Sequence, residues 1–519
     1  MEISSFLKKR KIGIILSYIY FALNTIISIF ISGFVVRTVG KTDYGVYQTM
    51  SAFAGYLILL EFGTGTVMTR NISICKKGEA HRDELQKNIS TIWSFSVVLS
   101  VLITFFSILF YYSIDKIYNN SLSSEQITFG KHLFIYVTIA LIFNFLSHTL
   151  NGIVLGHEYY SFEKLISTIK LFIRTTLVVV LLTIKPSVFI IVVIDACMSI
   201  FGFIITFLFC VFKIGITPGF RQFSLKVFKI IVPLCLTMLL QTIATTINGS
   251  VDKFLIGIML KPEDVTTYTI SMGLFSMFSS IATLPVTLYM PKTAAGIRDG
   301  MTSKDIENSL FTPCRLNMFV TGILAFGIIT VGQQFIQIVY GTEYKEAWIY
   351  AILVIIPMFL AMSNAVIINV LDVFRKRHLK TFITFGTIIV NLLLTIIGLR
   401  YIGLVGAAAA TGFATLVDMV LVNLLYAKKF KINAYRLFFV SAKGIFTPLL
   451  IATIICFPVR YIFNNIYYQF LIGGFGFCII FALLFIVFGT NDDEKQKIKL
   501  LKLKLLRKNK RIYGGKENG

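Results

Sequence analysis

The chain has 519 residues, of which 56% are hydrophobic and only 14% are charged. A soluble domain would carry about a quarter charged residues, so the composition excludes an ordinary water-soluble enzyme or binding domain. The net charge of +24 would suggest a nucleic-acid partner if the protein were soluble. In a membrane protein the same cations orient the loops and meet anionic lipid, so no nucleic-acid partner is predicted.

Fourteen apolar stretches follow one another along the chain, and each can cross about 30 Å of hydrocarbon as a helix that rises ~1.5 Å per residue. They lie at about 13–36, 44–67, 90–113, 132–155, 165–184, 187–212, 227–251, 265–290, 316–340, 347–371, 379–398, 401–426, 440–462 and 466–489. The sequence therefore predicts an all-α integral membrane protein with about 14 transmembrane helices.

The basic residues lie mainly on alternate connections between these stretches. Of the 49 Lys and Arg, 37 fall on the N-terminus, the even-numbered loops and the C-terminal tail, and ten fall on the odd-numbered loops. Cytoplasmic loops carry the excess of Lys and Arg, so both termini are predicted to be cytoplasmic. Because all loops are short, we expect the function to reside inside the membrane.

The residues outside the spans offer few other signals. From Lys495 to Arg511 the tail interleaves leucines with basic residues, which predicts either a helix on anionic membrane lipid or a merely solvated basic segment. The seven cysteines and five histidines are scattered without the spacing of metal ligands or a disulfide framework. No metal, no cofactor and no Walker motif for ATP is predicted.

Span 5 carries the clearest group of polar residues within the membrane. Glu163, Ser167, Lys170 and Arg174 are spaced so that they share one helical face. Because arginine donates two parallel hydrogen bonds to phosphate, we expect Arg174 and Lys170 to bind an anionic ligand. The alternatives are an ion pair of Arg174 with a carboxylate and snorkelling of Lys170 to the cytoplasmic surface.

Other polar residues within the spans complete the candidate site. The carboxylates of three of them, Glu61, Asp195 and Asp418, are candidates for ion pairing or for proton or ion coupling. Asp252 and Asp372 lie nearer to span ends and are interpreted as interfacial charges. The neutral candidates for binding substrate, from polar stripes on spans 1, 7 and 11, are Asn24, Gln241, Asn248 and Asn391.

Spans 1–6 and 7–12 look like weak copies of each other. Lys41–Tyr47 leads into span 2 much as Lys261–Tyr268 leads into span 8. An even number of spans in each copy implies parallel repeats about an axis normal to the membrane. This predicts two pseudo-symmetric six-helix lobes at 1–226 and 227–436, a C-terminal helix pair at 437–490 and a basic cytoplasmic tail at 491–519.

Three short motifs carry a resemblance to a known family. They are Gly40-x-x-x-Tyr44-Gly45-x-Tyr47, then Glu61-Phe-Gly63-x-Gly65 followed by Arg70, and Ile402-Gly-x-x-Gly406-Ala-Ala-Ala-Ala-Thr411. These motifs, with the length and the number of spans, resemble the bacterial polysaccharide flippases for O-antigen or capsule repeat units. Those proteins form part of the multidrug/oligosaccharidyl-lipid/polysaccharide (MOP) exporter superfamily.

The resemblance implies a transporter, not an enzyme, in the bacterial cytoplasmic membrane. It implies that an undecaprenyl-pyrophosphate-linked oligosaccharide is moved from the cytoplasmic to the outer leaflet by alternating access. An ion gradient would supply the energy, and a glycan polymerase and other assembly proteins would act beside it. The alternatives are a drug or cation antiporter of the same superfamily, a flippase for the peptidoglycan precursor lipid II, and a membrane enzyme. The enzyme is disfavoured because no outer loop is large enough to hold catalytic groups.

Overall fold

The computed structural model of the chain describes residues 2–74, 82–374, 376–491 and 494–496. Side chains are described for these residues except 2–15, 18, 82, 240–241, 244–250, 287–288 and 291–292. The surface helix predicted at Lys495–Arg511 therefore lies almost wholly outside the described residues. The described part is built from helices and contains no strand, as the hydropathy pattern predicts.

The described residues of the first half of the chain form helices, most of them long. They are α1 (Glu2–Val39), α2 (Lys41–Leu57), α3 (Thr64–Ile74), α4 (Arg82–Tyr118), α5 (Ser124–Gly156), α6 (Tyr160–Ile184) and α7 (Val188–Phe209). A Ser123–Gln126 capping box begins α5, in which the serine hydroxyl accepts from the Gln126 amide and the glutamine side chain accepts from the Ser123 amide.

The described residues of the second half also form helices. They are α8 (Leu225–Met259), α9 (Pro262–Ala282), α10 (Leu284–Arg298), α11 (Ser303–Val339), α12 (Ala347–Ser363), α13 (Ile368–Val373), α14 (Arg377–Ile402), α15 (Leu404–Phe430), α16 (Ala434–Ala442), α17 (Phe446–Cys456), α18 (Val459–Ile462) and α19 (Ile466–Leu484). A π-helical turn, Phe485–Gly489, continues α19.

The helices match the predicted spans closely. Eleven stretches in the described part are long and apolar enough to cross a membrane, and two further pairs, bent by 50° and 52°, each add one candidate. The bent pairs are α12 with α13 and α16 with α17–α18. The remaining predicted span, 227–251, corresponds to α8, several of whose side chains are not described. The protein is therefore a multi-pass helical membrane protein.

One span, formed by α2 and α3, is broken in its middle. After Leu57 the chain tightens into a 3-10 turn at Ile58–Glu61, and Phe62 and Gly63 then adopt φ values of 52° and 64°. Gly63 also packs on Met238, where an added Cβ would lie 2.6 Å from the methionine Cβ. Both the positive φ and the close approach favour glycine. The break leaves Glu61 where the backbone departs from regular helix geometry.

By packing, the chain divides into two compact units. The first contains 1–274, 339–351 and 381–414, and the second contains 275–338, 352–380 and 415–519. The boundaries cut α9, α11, α12, α14 and α15, so these units do not coincide with the predicted internal repeat. The two six-helix lobes and the separate C-terminal pair therefore stay a prediction.

Within the first unit, the N-terminal end of α2 packs tightly on that of α9. The backbones approach so closely that a Cβ on Gly45 would lie 2.0 Å from the Pro262 carbonyl oxygen. Beside this contact the Thr42 hydroxyl donates to Glu263 at 2.6 Å. These ends lie on the side that the basic-residue pattern predicts to face outward. The segments that lead into predicted spans 2 and 8 thus meet there, within one compact unit.

Within the second unit, Arg315 of α11 joins three chain segments. Its guanidinium donates to both carboxylate oxygens of Glu494 at 2.7 and 2.9 Å. It also donates to the carbonyl oxygens of Ser441, Lys443 and Gly489 at 3.3, 2.7 and 2.6 Å. All five N–H groups of this buried side chain are therefore used. Arg315 stabilises the packing of α16 and α19 against α11.

Candidate functional site

The cationic stripe predicted on span 5 lies on α6, and its deepest member is paired. Arg174 donates from Nε to Asp195 Oδ1 at 2.5 Å and from Nη2 to Asp195 Oδ2 at 3.0 Å. This bidentate geometry is the one in which a planar guanidinium matches a carboxylate. The two side chains are 36% and 25% exposed. Of the sequence hypotheses for Arg174, the geometry favours the ion pair, and anion binding by Arg174 stays a prediction.

Lys170 lies one turn before Arg174 on the same helix but has a different environment. Within the part of the chain that the structure describes, its ammonium has no hydrogen-bond or ion-pair partner. Its stem lies along Gly202 of α7, where an added Cβ would be 2.5 Å from Nζ and 3.2 Å from Cδ. The side chain is half-buried. A cation at membrane depth normally has a counter-charge or faces a ligand path, so Lys170 is a candidate ligand-binding group.

The other charges at the start of α6 compensate one another. Glu163 accepts a hydrogen bond from the Ser167 hydroxyl at 3.2 Å and pairs with Lys164 at 2.9 Å. The Lys164 ammonium also lies over the ring of Tyr20 on α1, 5.4 Å from its centroid. Glu163, Lys164 and Arg174 thus all have partners of opposite charge. Among the described side chains, Lys170 is the cation of the stripe that has none.

Glu61, a predicted coupling residue, lies at the break between α2 and α3 and forms an ion pair with His148 of α5. The carboxylate is 19% exposed and the imidazole 58% exposed. Behind them runs a chain of buried hydroxyls, in which Thr64 and Thr149 are 2.9 Å apart and Thr149 donates to Ser96 at 3.2 Å. A carboxylate and an imidazole in contact can hold a proton between them, so the geometry suits proton coupling at Glu61. Sequence reasoning missed His148 as a partner of Glu61, because it lies on another helix.

A second acidic site is formed by a residue interpreted from the sequence as interfacial. Asp252 is only 3% exposed and accepts hydrogen bonds from Tyr268 at 2.7 Å, Thr411 at 2.6 Å and Thr395 at 3.3 Å. The Asn391 side-chain oxygen lies 3.3 and 3.4 Å from the hydroxyl oxygens of Thr395 and Thr411. Hydroxyl groups of three other helices therefore satisfy the Asp252 carboxylate, and its interpretation as an interfacial charge stays a prediction. This set of hard oxygen atoms suits a proton or a small hard cation.

The remaining predicted residues are spread over several helices. Asn24 is half-buried on α1, and Asp418 on α15 interacts electrostatically with Lys380 of α14. Gln241 and Asn248 lie on α8, but their side chains are outside the described residues. Asn391 belongs to the buried Asp252 cluster. The roles of these residues in binding or coupling stay predictions.

A family model described as "Polysaccharide biosynthesis protein" matches residues 34–349. The chain belongs to this family. The match covers more than half of the 519 residues, including α6, α7 and the broken span. No curated protein matches the sequence significantly.

Two solved structures have a fold similar to that of this chain. A structure titled "Lipid II flippase MurJ, inward closed conformation" matches with a TM-score of 0.69 and 16% identity, covering 91% of this chain and 98% of that one. A structure titled "Inward-facing conformation of a multidrug resistance MATE family transporter of the MOP superfamily" matches with a TM-score of 0.52 and 15% identity, covering 79% and 94%. At these identities the likeness shows the fold alone. Family and fold together support a MOP-type transporter or flippase, and the resemblance drawn from the sequence is confirmed.

Proposed function

We propose that this protein is a flippase that moves an undecaprenyl-pyrophosphate-linked oligosaccharide from the cytoplasmic to the outer leaflet of the bacterial cytoplasmic membrane by alternating access. The observation that carries the proposal is Lys170, a half-buried ammonium on a membrane span without a partner in the described residues. An ammonium donates up to three hydrogen bonds and recognises phosphate as a point charge. The chain belongs to a polysaccharide-biosynthesis family. A glycan linked to lipid through phosphate is therefore the cargo that best matches the positive charge of Lys170.

The polar residues around this cation have defined roles in the proposal. Lys170 binds the phosphate groups, while Asn24 and the side chains of α8 hydrogen-bond to sugar hydroxyls. The polyprenyl chain stays in lipid. Arg174 organises the site through its bidentate pair with Asp195.

We assign energy coupling to the two acidic sites of the first compact unit. Asp252 is buried among hydroxyl and amide oxygens, and Glu61 pairs with His148 at a helix break. An ionised carboxylate in the membrane interior is costly, so binding of a proton or a small cation stabilises it. Loading and unloading of these carboxylates would then bias the conformational cycle. The polymerase that receives the cargo and the anionic lipid at the basic tail are further proposed partners.

A flippase for lipid II is the second candidate, and the structural match to MurJ at a TM-score of 0.69 favours it. A drug or cation antiporter is disfavoured because an unpaired ammonium repels a cationic substrate. Susceptibility of a deletion strain to cationic drugs would distinguish that candidate. Essentiality of the chain for peptidoglycan synthesis would distinguish the lipid II flippase.

The test is the lipid-linked sugar profile of a deletion strain, compared with the same strain carrying the wild-type chain or the Lys170→Gln variant. We expect the deletion strain to accumulate an undecaprenyl-pyrophosphate oligosaccharide on the cytoplasmic side and to lose surface polysaccharide. The wild-type chain should restore both, and Lys170→Gln should restore neither at equal protein level. An unchanged lipid profile with intact surface glycan would refute the proposal.

A further inference from the structure

Two neighbouring cations of α6 meet two different residues on one face of α7. Arg174 meets the carboxylate of Asp195, while Lys170 meets the backbone of Gly202. Asp195 and Gly202 are seven residues apart, which is two helical turns, so they share a face. The same helix face therefore neutralises one cation and leaves the other without a counter-charge.

From this arrangement we infer that Asp195 and Gly202 determine which anion the protein selects. Asp195 compensates the positive charge of Arg174, and Gly202 positions the Lys170 ammonium, the one cation of the α6 stripe that has no partner among the described residues. This inference rests on the proposed function and deepens it. It names two specificity-determining positions and a ligand class, the phosphate group of a prenyl phosphate or pyrophosphate.

Because Gly202 has no Cβ, the end of the Lys170 side chain can lie against α7. An added Cβ would lie 2.5 Å from Nζ, 3.1 Å from Cε and 3.2 Å from Cδ of Lys170. These are the far atoms of a flexible side chain, so an alanine at this position would displace the ammonium without forcing α6 and α7 apart. Gly202→Ala should therefore change anion binding much more than it changes stability. A purely structural glycine would show the opposite behaviour.

Asp195 acts by holding the second charge in a bidentate pair. With asparagine in its place, the amide would still accept one hydrogen bond from Arg174, but the site would carry two positive charges. A second cation favours the more highly charged ligand, because electrostatic attraction grows with the product of the charges. Asp195→Asn should therefore increase the preference for a pyrophosphate over a monophosphate.

The experiment measures binding of farnesyl pyrophosphate and farnesyl monophosphate to the purified full chain in lipid nanodiscs. The variants are Lys170→Gln, Gly202→Ala, their combination and Asp195→Asn. Gly386→Ala serves as the matched control, because a Cβ on that helical glycine meets no atom of the described residues within 4 Å. An apparent melting temperature confirms that each variant is folded.

We expect Lys170→Gln to weaken pyrophosphate binding about tenfold, which is typical of losing a hydrogen bond to a charged group. Gly202→Ala should weaken it several-fold but have no further effect in the Lys170→Gln background, because both act on the same ammonium. Gly386→Ala should bind like the wild type. The ratio of pyrophosphate to monophosphate affinity should rise in Asp195→Asn.

Three outcomes would overturn the inference. They are unchanged binding in Lys170→Gln, an effect of Gly202→Ala that persists in the Lys170→Gln background, and an unchanged affinity ratio in Asp195→Asn. If Gly202→Ala fails to fold, the Asp195→Asn ratio alone decides. The proposed function is tested separately by the lipid-linked sugar profile, so a flippase that exports glycan without this specificity would be recognised.

Discussion

The Arg174–Asp195 pair allows a test that separates a structural cation from one that binds cargo. Replacing Arg174 by methionine removes two hydrogen bonds, of 2.5 and 3.0 Å, and leaves the Asp195 carboxylate uncompensated within the membrane. Replacing Asp195 by leucine leaves the guanidinium uncompensated in the same way. In the double variant both charges are absent, and an apolar pair of similar volume fills the space.

The magnitude follows from the exposure of the pair. Breaking a fully buried ion pair costs about 3–5 kcal/mol, whereas an exposed pair contributes about 0.2–1 kcal/mol. The two side chains are 36% and 25% exposed, which places each single replacement between these limits, at ~2 kcal/mol of unfolding free energy. The double variant should lose less than either single variant, because hydrophobic replacement of both partners is often neutral.

The assay combines thermal unfolding of the purified protein with glycan export in a deletion strain at matched protein level. Arg174→Met should lower the folded protein and the export together, and the double variant should recover both. A double variant that folds normally but exports nothing would refute this reasoning. Arg174 would then contact the anionic cargo directly, as the sequence alone predicts.

Three further predictions follow from other contacts. Arg315→Ala removes five hydrogen bonds of a buried guanidinium, so we expect the free energy of unfolding to fall by about 3–5 kcal/mol. Arg436→Ala is the control, since its side chain is 66% exposed, and it should lower the free energy of unfolding by less than about 1 kcal/mol. Equal losses in the two variants would contradict the structure. Asp252→Asn should leave the protein folded but make export insensitive to collapse of the ion gradient, and wild-type sensitivity would exclude coupling at this residue. Gly45→Ala should lower the melting temperature and export much more than Gly386→Ala, because its Cβ would meet a carbonyl oxygen at 2.0 Å; similar behaviour of the two variants would show that the contact yields freely.

The parts of the fold that the sequence predicts are those that depend on local patterns. Hydropathy over about 20 residues locates a membrane helix, so the spans agree with the helices of the structure. Helical periodicity likewise places Lys170 and Arg174 on one face of α6 without reference to any other helix. The broken span also has a local cause. A glycine adopts positive φ readily, and Gly63, with a φ of 64°, lies at the break.

The parts that the sequence could not predict depend on contacts between distant residues. His148 meets Glu61 across 87 positions, and Thr395 meets Asp252 across 143. No periodicity within one helix reveals which helix lies beside it. The partners of Asp252 could not be predicted for this reason, since its position near a span end says nothing about the hydroxyl donors of three other helices.

The contrast between the two cations of α6 shows how a neighbouring helix changes the meaning of a motif. On the sequence alone Arg174 is the stronger candidate for binding phosphate, because it lies deeper and its guanidinium has the more specific geometry. The structure supplies Asp195 opposite Arg174 and only a glycine opposite Lys170. A charge that is already compensated gains little from a phosphate, since binding would first have to break the existing pair. Lys170 can therefore contribute more to phosphate binding than Arg174. It can do so because its neighbour on α7, Gly202, has no side chain that would pair with the ammonium.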